Sequence, residues 1–189
     1  MCIRDSYFIP GDEGTLFFSR LVEKGVDVTV LTNSLAATDV AAVHGGYAPY
    51  REPLLRSGVK LFELKPTAAS GGISLRGSSQ ASLHTKAFTS DGTAGFVGSL
   101  NFDPRSVSLN TEMGVLFAVP ELVAEMDRIF AEEISPAMSY RVTLDGDDGL
   151  IWSATESGVA VQLTQEPEAS LGRRILARVV GWLPLESQL

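Results

Sequence analysis

The feature that most limits the fold is an alternation of apolar and amphipathic segments over the first 64 residues. Apolar, β-branched runs of about six residues favour buried strands, and the segments between them carry apolar residues at helical spacing. This order is typical of parallel strands with helices packed over them. The predicted elements are a strand ending at Phe8–Ile9, a helix from Asp12 to Lys24, a strand from Val26 to Leu31, a helix from Thr38 or Asp39 towards Arg56, and a strand from Val59 to Leu64.

The remaining residues extend this pattern. Pro66 to Ser82 is rich in glycine, serine and threonine and is predicted to be a flexible loop. We therefore expect an α/β fold with a mixed, largely parallel central sheet flanked by helices, and a small C-terminal extension. The later elements are strands over Leu83–Phe88, Thr93–Val97 and Thr111–Val119, a helix from Pro120, strands over Leu150–Ser153 and Val159–Leu163, and a basic amphipathic helix over Leu171–Val180 with Ser170 as its cap.

Composition excludes some classes of protein. With 44% hydrophobic and 20% charged residues, the 189-residue chain has enough apolar residues for a globular core. A net charge of −8 makes a nucleic acid an unexpected main partner, because lysine and arginine drive phosphate-backbone binding. No apolar run approaches the roughly 20 residues of a membrane span. Cys2 is the only cysteine, so no disulfide within the chain is possible.

Polar residues are concentrated on two neighbouring predicted strands. Alternation along Leu83–Phe88 places His84 and Lys86 on one face, so a nucleophile or base lies beside a fixed positive charge. The next strand ends in Gly98-Ser99-Leu100-Asn101, where Ser99 and Asn101 share a face and both can donate hydrogen bonds. Donors and a lysine that converge on one point suit an anion such as a phosphoryl group.

The spacing His84-x-Lys86-x4-Asp91-x6-Gly98-Ser99-x-Asn101 resembles the complete HKD signature of the phospholipase D superfamily. The resemblance extends to "YFIPGDEG", "GVDVTVLTNSLAATDVAAVHGGYAPYREPLLRSGVKLFEL", "NFDPRSVSLNTEMGV" and "GWLPLESQL", which are similar to the C-terminal half of bacterial cardiolipin synthase-like proteins. It implies a phospholipase D-like catalytic half over residues 7–136, followed by an extension over residues 137–189 that packs on it.

The resemblance also implies roles for individual residues. His84 belongs to a catalytic pair in which one histidine attacks phosphorus and the other acts as acid and then base. Lys86, Ser99 and Asn101 bind the non-bridging phosphate oxygens, and Glu112 orients His84. Asp91 is the aspartate of the motif and is expected to stabilise the hairpin turn rather than to touch substrate. No cofactor is implied, and the sequence offers no cluster of metal ligands.

His44 is the only other histidine, and Gly46 stands where a second motif would need lysine. Two interpretations of His44 remain open. It is either a structural residue on a helix face, or it lines the cleft and contacts a lipid head group. In the second interpretation the substrate-binding residues are Asn33, Ser34, His44, Tyr47, Arg51 and Arg105.

The chain therefore holds one HKD motif where the chemistry needs two. The opening "MCIRDS" joins awkwardly to "YFIPGDEG", which suggests that residues 1–6 are a non-native stub and that an upstream half with the first motif is missing. Alternatively, two copies of the chain pair their His84 residues across a dimer. We favour the missing half, because the sequence resembles the second half of a two-motif enzyme.

The expected function is phosphatidyl transfer or hydrolysis on a phospholipid that resembles phosphatidylglycerol. The expected location is the surface of a bacterial cell membrane, on a side that the sequence does not indicate. The helix over Leu171–Val180 either lies on an anionic bilayer or packs its apolar face on the domain. Two alternative functions remain: a one-motif dimeric phosphodiesterase acting on nucleic acid, and a non-catalytic lipid-binding module.

Overall fold

The computed structural model of the protein describes residues 1–66, 83–146 and 149–182. The loop predicted over Pro66 to Ser82, apart from Pro66 itself, and the last seven residues of "GWLPLESQL" lie outside them. The described elements are β1 (Cys2–Arg4), α1 (Gly11–Glu23), β2 (Thr29–Asn33), α2 (Ala41–Tyr47), a 3₁₀ turn (Ala48–Tyr50), α3 (Arg51–Ser57), β3 (Lys60–Leu64), β4 (Lys86–Ser90), β5 (Ala94–Gly98), α4 (Pro104–Ser108), β6 (Gly114–Phe117), α5 (Pro120–Glu133), β7 (Ser139–Leu144), β8 (Leu150–Glu156), β9 (Val159–Leu163) and α6 (Leu171–Val180).

The described strands form one mixed sheet in the order β6-β5-β4-β1-β2-β3-β7-β8-β9. The α/β class and the mixed sheet are confirmed. The expectation of a largely parallel sheet holds only at its centre, because the β1–β2 and β2–β3 pairings are parallel and the other pairings between described strands are antiparallel. Short turns join β4 to β5 and β8 to β9, and a short turn allows only antiparallel pairing.

The first strand lies in the middle of this sheet. β1 pairs with β2 on one side and with β4 on the other, and Ile3 is fully buried in the main apolar cluster. The sequence placed the first strand's end at Phe8–Ile9, but these two buried residues follow β1 without strand pairing. Residues 1–6 thus contribute to the core of the chain as given; their non-native origin stays a prediction.

The helix predicted from Thr38 or Asp39 towards Arg56 is divided into α2, a 3₁₀ turn and α3. Pro49 lies in the 3₁₀ turn, and proline has no backbone N–H for the helical ladder, which explains the break. Neither Thr38 nor Asp39 caps α2, whose N-cap is Val40. α3 ends at Gly58 in the left-handed conformation, with φ of 96°, as expected for a glycine after a helix.

Residues 139–182 extend the same sheet. β7, which the sequence did not predict, pairs antiparallel with β3, and β8 and β9 follow it. α6 has the predicted bounds, and the Ser170 hydroxyl accepts a hydrogen bond from the Arg173 amide at its N-terminus. The helix packs against α2, where a side-chain carbon on Gly45 would lie 2.5 Å from the Ala177 carbonyl oxygen. This close packing fixes α6 beside the segment that follows β2.

Candidate active site

His84, Lys86, Ser99 and Asn101 gather at the end of the sheet where β1 and β2 end and β4 begins, whereas Asp91 lies beyond the other end of β4. β4 runs antiparallel to β1, so its first residue lies near the carboxyl end of β1. Lys86 pairs with Gly98 of β5, and Gly98 pairs in turn with Gly114 of β6. The register therefore brings the first residues of β4, the residues after β5 and those before β6 to one place.

His84 and Lys86 begin the site. His84 is exposed and lies two residues ahead of β4, not within it as the sequence suggested. We expected strand alternation to place the two side chains on one face. Instead, the contact between the two residues is a hydrogen bond that the Lys86 ammonium donates to the His84 carbonyl oxygen at 3.0 Å. The same ammonium lies 5.6 Å from the centre of the Tyr7 ring. His84 is thus exposed to solvent, and the Lys86 ammonium lies at its backbone carbonyl.

Asn33, which the sequence assigned to substrate binding, is buried and holds the backbone next to His84. Its side-chain oxygen accepts from the Leu83 amide at 2.9 Å, and its amide nitrogen donates to the Leu83 carbonyl at 3.3 Å and the Ser6 carbonyl at 3.1 Å. Ser34 is fully buried, and its hydroxyl accepts from the Ala37 amide at 3.2 Å. Both residues therefore have structural contacts within the fold, and substrate contact by either of them stays a prediction.

Ser99 and Glu112 form a hydrogen-bonded pair. The Ser99 hydroxyl donates to a Glu112 carboxylate oxygen at 2.5 Å and accepts from the Met113 amide at 3.0 Å. The Asn110 amide donates to the other Glu112 oxygen at 3.1 Å. The hydrogen bond from Ser99, aided by that from Asn110, lowers the pKa of Glu112. The role of Glu112 in orienting His84 stays a prediction.

Asn101 is buried and is held by the chain that follows β1. Its side-chain oxygen accepts from the Ser6 hydroxyl at 3.0 Å. The next residue, Phe102, donates its amide to the buried Asp5 carboxylate at 2.5 Å. Burial raises the pKa of Asp5 to about 6, although hydrogen bonds from Phe102 and Tyr7 oppose that rise. Asp5 and Ser6 were missed as supporting residues because we assigned residues 1–6 to a stub.

Asp91 and Arg105 lie at the margins of the site. Asp91 occupies the β4–β5 turn, at the other end of β4 from Lys86, with a left-handed φ of 55°. This position agrees with a role in the turn. Arg105 is exposed on α4, and its guanidinium donates to the Asn110 side chain at 3.3 Å, so it is linked through Asn110 to Glu112.

His44, Tyr47 and Arg51 belong to a buried ionic cluster with Glu63 and Glu166. The Arg51 guanidinium lies 2.9 Å from Glu63 and 2.7 Å from Glu166, and it also contacts the His44 ring nitrogen. Their ion pairs and hydrogen bonds run to one another rather than to His84. This placement agrees with the structural interpretation of His44, while substrate contact by these residues stays a prediction.

Two aromatic rings over Arg51 and the attraction between Arg51 and Glu166 stabilise the cluster. The Tyr47 and Trp152 rings lie 5.0 Å and 5.3 Å from the guanidinium carbon of Arg51. Burial alone would raise the pKa of Glu166, but Arg51 and His44 outweigh it and lower that pKa to about 2. His44, Glu63 and Glu166 have the spacing of metal ligands, yet the guanidinium already contacts all three.

The residues at this end of the sheet have the chemical groups that binding of a tetrahedral anion requires. His84 is exposed, Lys86 carries a positive charge, and Ser99 and Asn101 bring a hydroxyl and a side-chain amide to the same end of the sheet. Fixed donors aimed at a developing negative charge are the usual means of stabilising a transition state at phosphorus. The site therefore fits phosphodiester chemistry.

Comparisons with known proteins point the same way. The family model described as "Cardiolipin synthase, PLD-like domain" matches residues 3–134. Cardiolipin synthase C of Escherichia coli (strain K12) is 42% identical over 188 residues, which cover 97% of this chain and 40% of that protein. This chain thus spans less than half the length of that relative.

Two solved structures share the fold. Nuc from Salmonella typhimurium, a phospholipase D family member, has a TM-score of 0.51 and 18% identity and matches 70% of this chain and 76% of its own. Phosphatidylserine synthase from Haemophilus influenzae Rd KW20 has a TM-score of 0.52 and 14% identity and matches 74% of this chain and 33% of its own.

Proposed function

The chain belongs to the family of PLD-like cardiolipin synthase domains, and on that basis we propose that it carries one half of a phosphatidyl-transferring active site. The substrate is a phospholipid of the phosphatidylglycerol type, and the phosphatidyl group moves to a glycerol-type alcohol or to water. The observation that carries the proposal is the exposed His84 beside Lys86, with Ser99 and Asn101 at the same edge of the sheet.

The proposed chemistry has two balanced steps. In the first, an imidazole nitrogen of one histidine attacks phosphorus, the bond to the leaving alcohol breaks, and a second histidine gives its proton to that alcohol. In the second, the acceptor alcohol or water gives its proton to the second histidine and attacks phosphorus, which releases the first. His84 is one of the two, and Lys86, Ser99 and Asn101 hold the non-bridging oxygens.

The other histidine comes from outside this chain's site. His44 is buried against Arg51 and Glu166, which supports excluding it from the pair. We infer that the upstream half of a longer protein supplies the second HKD motif, and that a second copy of this chain is the alternative. The exposed apolar residues at the edge strand β6 favour contact with such a second half. They are Met113, Val115 and Leu116, and they lie beside Glu112.

The proposed place of action is the surface of a bacterial membrane. A phospholipid substrate requires contact with a bilayer, and the anionic head group fits the cationic Lys86 at the site. In the part of the chain that the structure describes, no helix has both the length and the apolar character needed to span a membrane. We therefore propose peripheral attachment.

Turnover of phosphatidylglycerol vesicles tests the proposal. The purified chain, residues 1–6 included, is assayed alone and with a separately produced upstream half of the Escherichia coli relative, and cardiolipin, glycerol and phosphatidic acid are followed. We expect turnover with the upstream half and none when His84→Ala replaces the native chain. Cardiolipin with glycerol indicates transfer, and phosphatidic acid with glycerol indicates hydrolysis.

Other outcomes would change the proposal. If the chain alone turns over lipid and His84→Ala abolishes that turnover, a second copy of the chain, and not an upstream half, supplies the other histidine. Equal turnover by native and His84→Ala chains would contradict the assigned site. Cleavage of a nucleic acid in place of lipid would support the one-motif phosphodiesterase, and lipid binding without turnover in either arrangement would support the non-catalytic module.

A further inference from the structure

The outer face of α6 is apolar although it points away from the protein. Leu171, Ile175, Val179 and Trp182 follow one another at helical spacing and are all exposed. The opposite face of the helix carries Ala177 and Val180, which are buried against α2. The sequence left open whether the apolar face packs on the domain. The structure shows that small residues make that contact and the large apolar residues do not.

Positive charge accompanies this face. α6 contains three arginines and no acidic residue, whereas the whole chain has a net charge of −8. Arg178 is exposed at the border of the apolar face, and Arg174 is held there by hydrogen bonds to the Gln165 side chain and the Glu166 carbonyl. A short helix with a large apolar face and basic borders suits the interface of an anionic bilayer.

A groove runs beside the helix. Its volume is about 580 Å³, and its wall includes Leu150 and Trp152 of β8 together with Ile175, Arg178 and Trp182. Trp182 is 87% exposed at the end of the helix. An indole ring with an apolar body and a polar N–H favours the level of lipid head groups, so Trp182 has the chemistry of an interfacial anchor.

α6 is also tied to the edge of the sheet that carries the HKD residues. The Arg173 guanidinium donates to the Leu35 carbonyl at 3.0 Å and also contacts the Thr38 carbonyl. Both carbonyls lie in the segment that follows β2, directly after Asn33. These contacts attach α6 to the segment that begins at the end of β2.

We propose that the outer face of α6, formed by Leu171, Ile175, Val179 and Trp182 with Arg178 at its border, docks the protein onto a bilayer that contains anionic phospholipid. The inference rests on the proposed function for its purpose, because the substrate lies in that bilayer, but the binding itself needs no turnover. Since α6 has only ten residues, attachment is reversible and weakens with salt.

Vesicle binding of the full chain tests the proposal. The probes are vesicles of phosphatidylcholine with phosphatidylglycerol and vesicles of phosphatidylcholine alone, with co-sedimentation and tryptophan emission as readouts. The chain has two tryptophans, of which Trp152 is 3% exposed, so a blue shift of emission on binding reports Trp182. We expect binding to the anionic vesicles with a blue shift, weaker binding in high salt, and little binding to phosphatidylcholine alone.

Matched variants distinguish binding through the outer face of α6 from the general effect of replacing an exposed apolar residue. Ile175→Gln with Val179→Gln changes two exposed positions and is expected to weaken vesicle binding about tenfold or more, because both side chains leave water on docking. Arg178→Gln is expected to weaken binding to anionic vesicles only. Leu16→Gln on α1, at an equally exposed leucine, is the control and is expected to bind as the native chain does.

The remaining outcomes overturn the proposal or assign its failure elsewhere. The proposal is wrong if the native chain does not bind anionic vesicles or if the α6 variants bind them as the native chain does. It is also wrong if the native chain self-associates through this face, so that the double variant becomes monomeric while neither protein binds vesicles. Binding that is retained without any lipid turnover would refute the proposed function and leave this inference standing. Turnover of a dispersed short-chain phospholipid without vesicle binding would refute this inference and leave the proposed function standing.

Discussion

Asn33 and Leu83 are joined by both groups of the asparagine amide. The Leu83 amide donates to the side-chain oxygen at 2.9 Å, and the side-chain nitrogen donates to the Leu83 carbonyl at 3.3 Å. The end of β2 thereby holds the residue directly before His84, although no strand pairing reaches that residue. We infer that the position of the His84 imidazole depends on Asn33.

Asn33→Leu removes both hydrogen bonds to Leu83 and the one to the Ser6 carbonyl, and it is expected to lower the free energy of unfolding by about 2 kcal/mol, because buried backbone groups lose their partners. Under the proposed function, kcat should fall more than KM rises, since the histidine is misplaced while Lys86 remains. Chemical denaturation and turnover of phosphatidylglycerol measure the two effects. Ser34→Ala is the matched control: it affects a neighbouring buried residue and should leave kcat near native. A native kcat in Asn33→Leu would contradict this positioning role.

Tyr7 is expected to position Lys86 through its ring. The Lys86 ammonium lies 5.6 Å from the ring centre, and the hydroxyl donates to the Asp39 carboxylate at 2.8 Å. Burial, with the hydrogen bond to Asp39, raises the pKa of Tyr7 to about 12, so the ring stays neutral. Tyr7→Leu should lower kcat/KM about tenfold, whereas Tyr7→Phe keeps the ring and most of the activity. Equal losses in the two variants would show that the hydroxyl matters instead.

Glu166 should make stability dependent on acid pH. Its folded-state pKa is about 2, below the usual 4.5, so its contribution is present above pH 4.5 and is lost as the pH falls towards 2. Glu166→Gln should cost about 3 kcal/mol at neutral pH, because Arg51 loses a buried partner, and less at pH 3. Urea denaturation at both pH values measures this. The exposed Glu52–Arg56 pair gives the control, since Glu52→Gln should cost within about 0.5 kcal/mol. A loss in Glu166→Gln that is equally large at both pH values would contradict the linkage.

Gly45 should be required for the docking of α6. A methyl group at Gly45 would lie 2.5 Å from the Ala177 carbonyl and 3.1 Å from the Val180 side chain, so Gly45→Ala should push the helix away. Gly172, within α6, has nothing within 4 Å of such a group, and Gly172→Ala should stabilise the helix by up to about 1 kcal/mol. Thermal unfolding and limited proteolysis compare the two. A Gly45→Ala protein as stable as the native one would show that α6 docks without this close contact.

The sequence predicted the bounds of some elements well where the signal is local. α6 and β9 have their predicted bounds, because capping, spacing and β-branched residues lie within each segment. β1 was missed because three residues carry too little pattern to indicate a strand. The buried cluster was missed for a different reason: Glu63 and Glu166 reach Arg51 from distant parts of the chain, and no local pattern shows such partners. Pro49 is a signal that could have located the break between α2 and α3.

The central place of β1 has a consequence for the order of folding. β2 and β3 pair after one helical crossover, whereas the other edge of β1 must find β4, with Cys2 opposite Thr89. Contacts so distant along the chain form slowly, since the loop between them loses entropy before the pairing is gained. The hairpin of β4 and β5 can form early on its own. We expect the step that limits refolding to be the insertion of residues 2–4 between two preformed halves of the sheet, and that step also completes the position of His84.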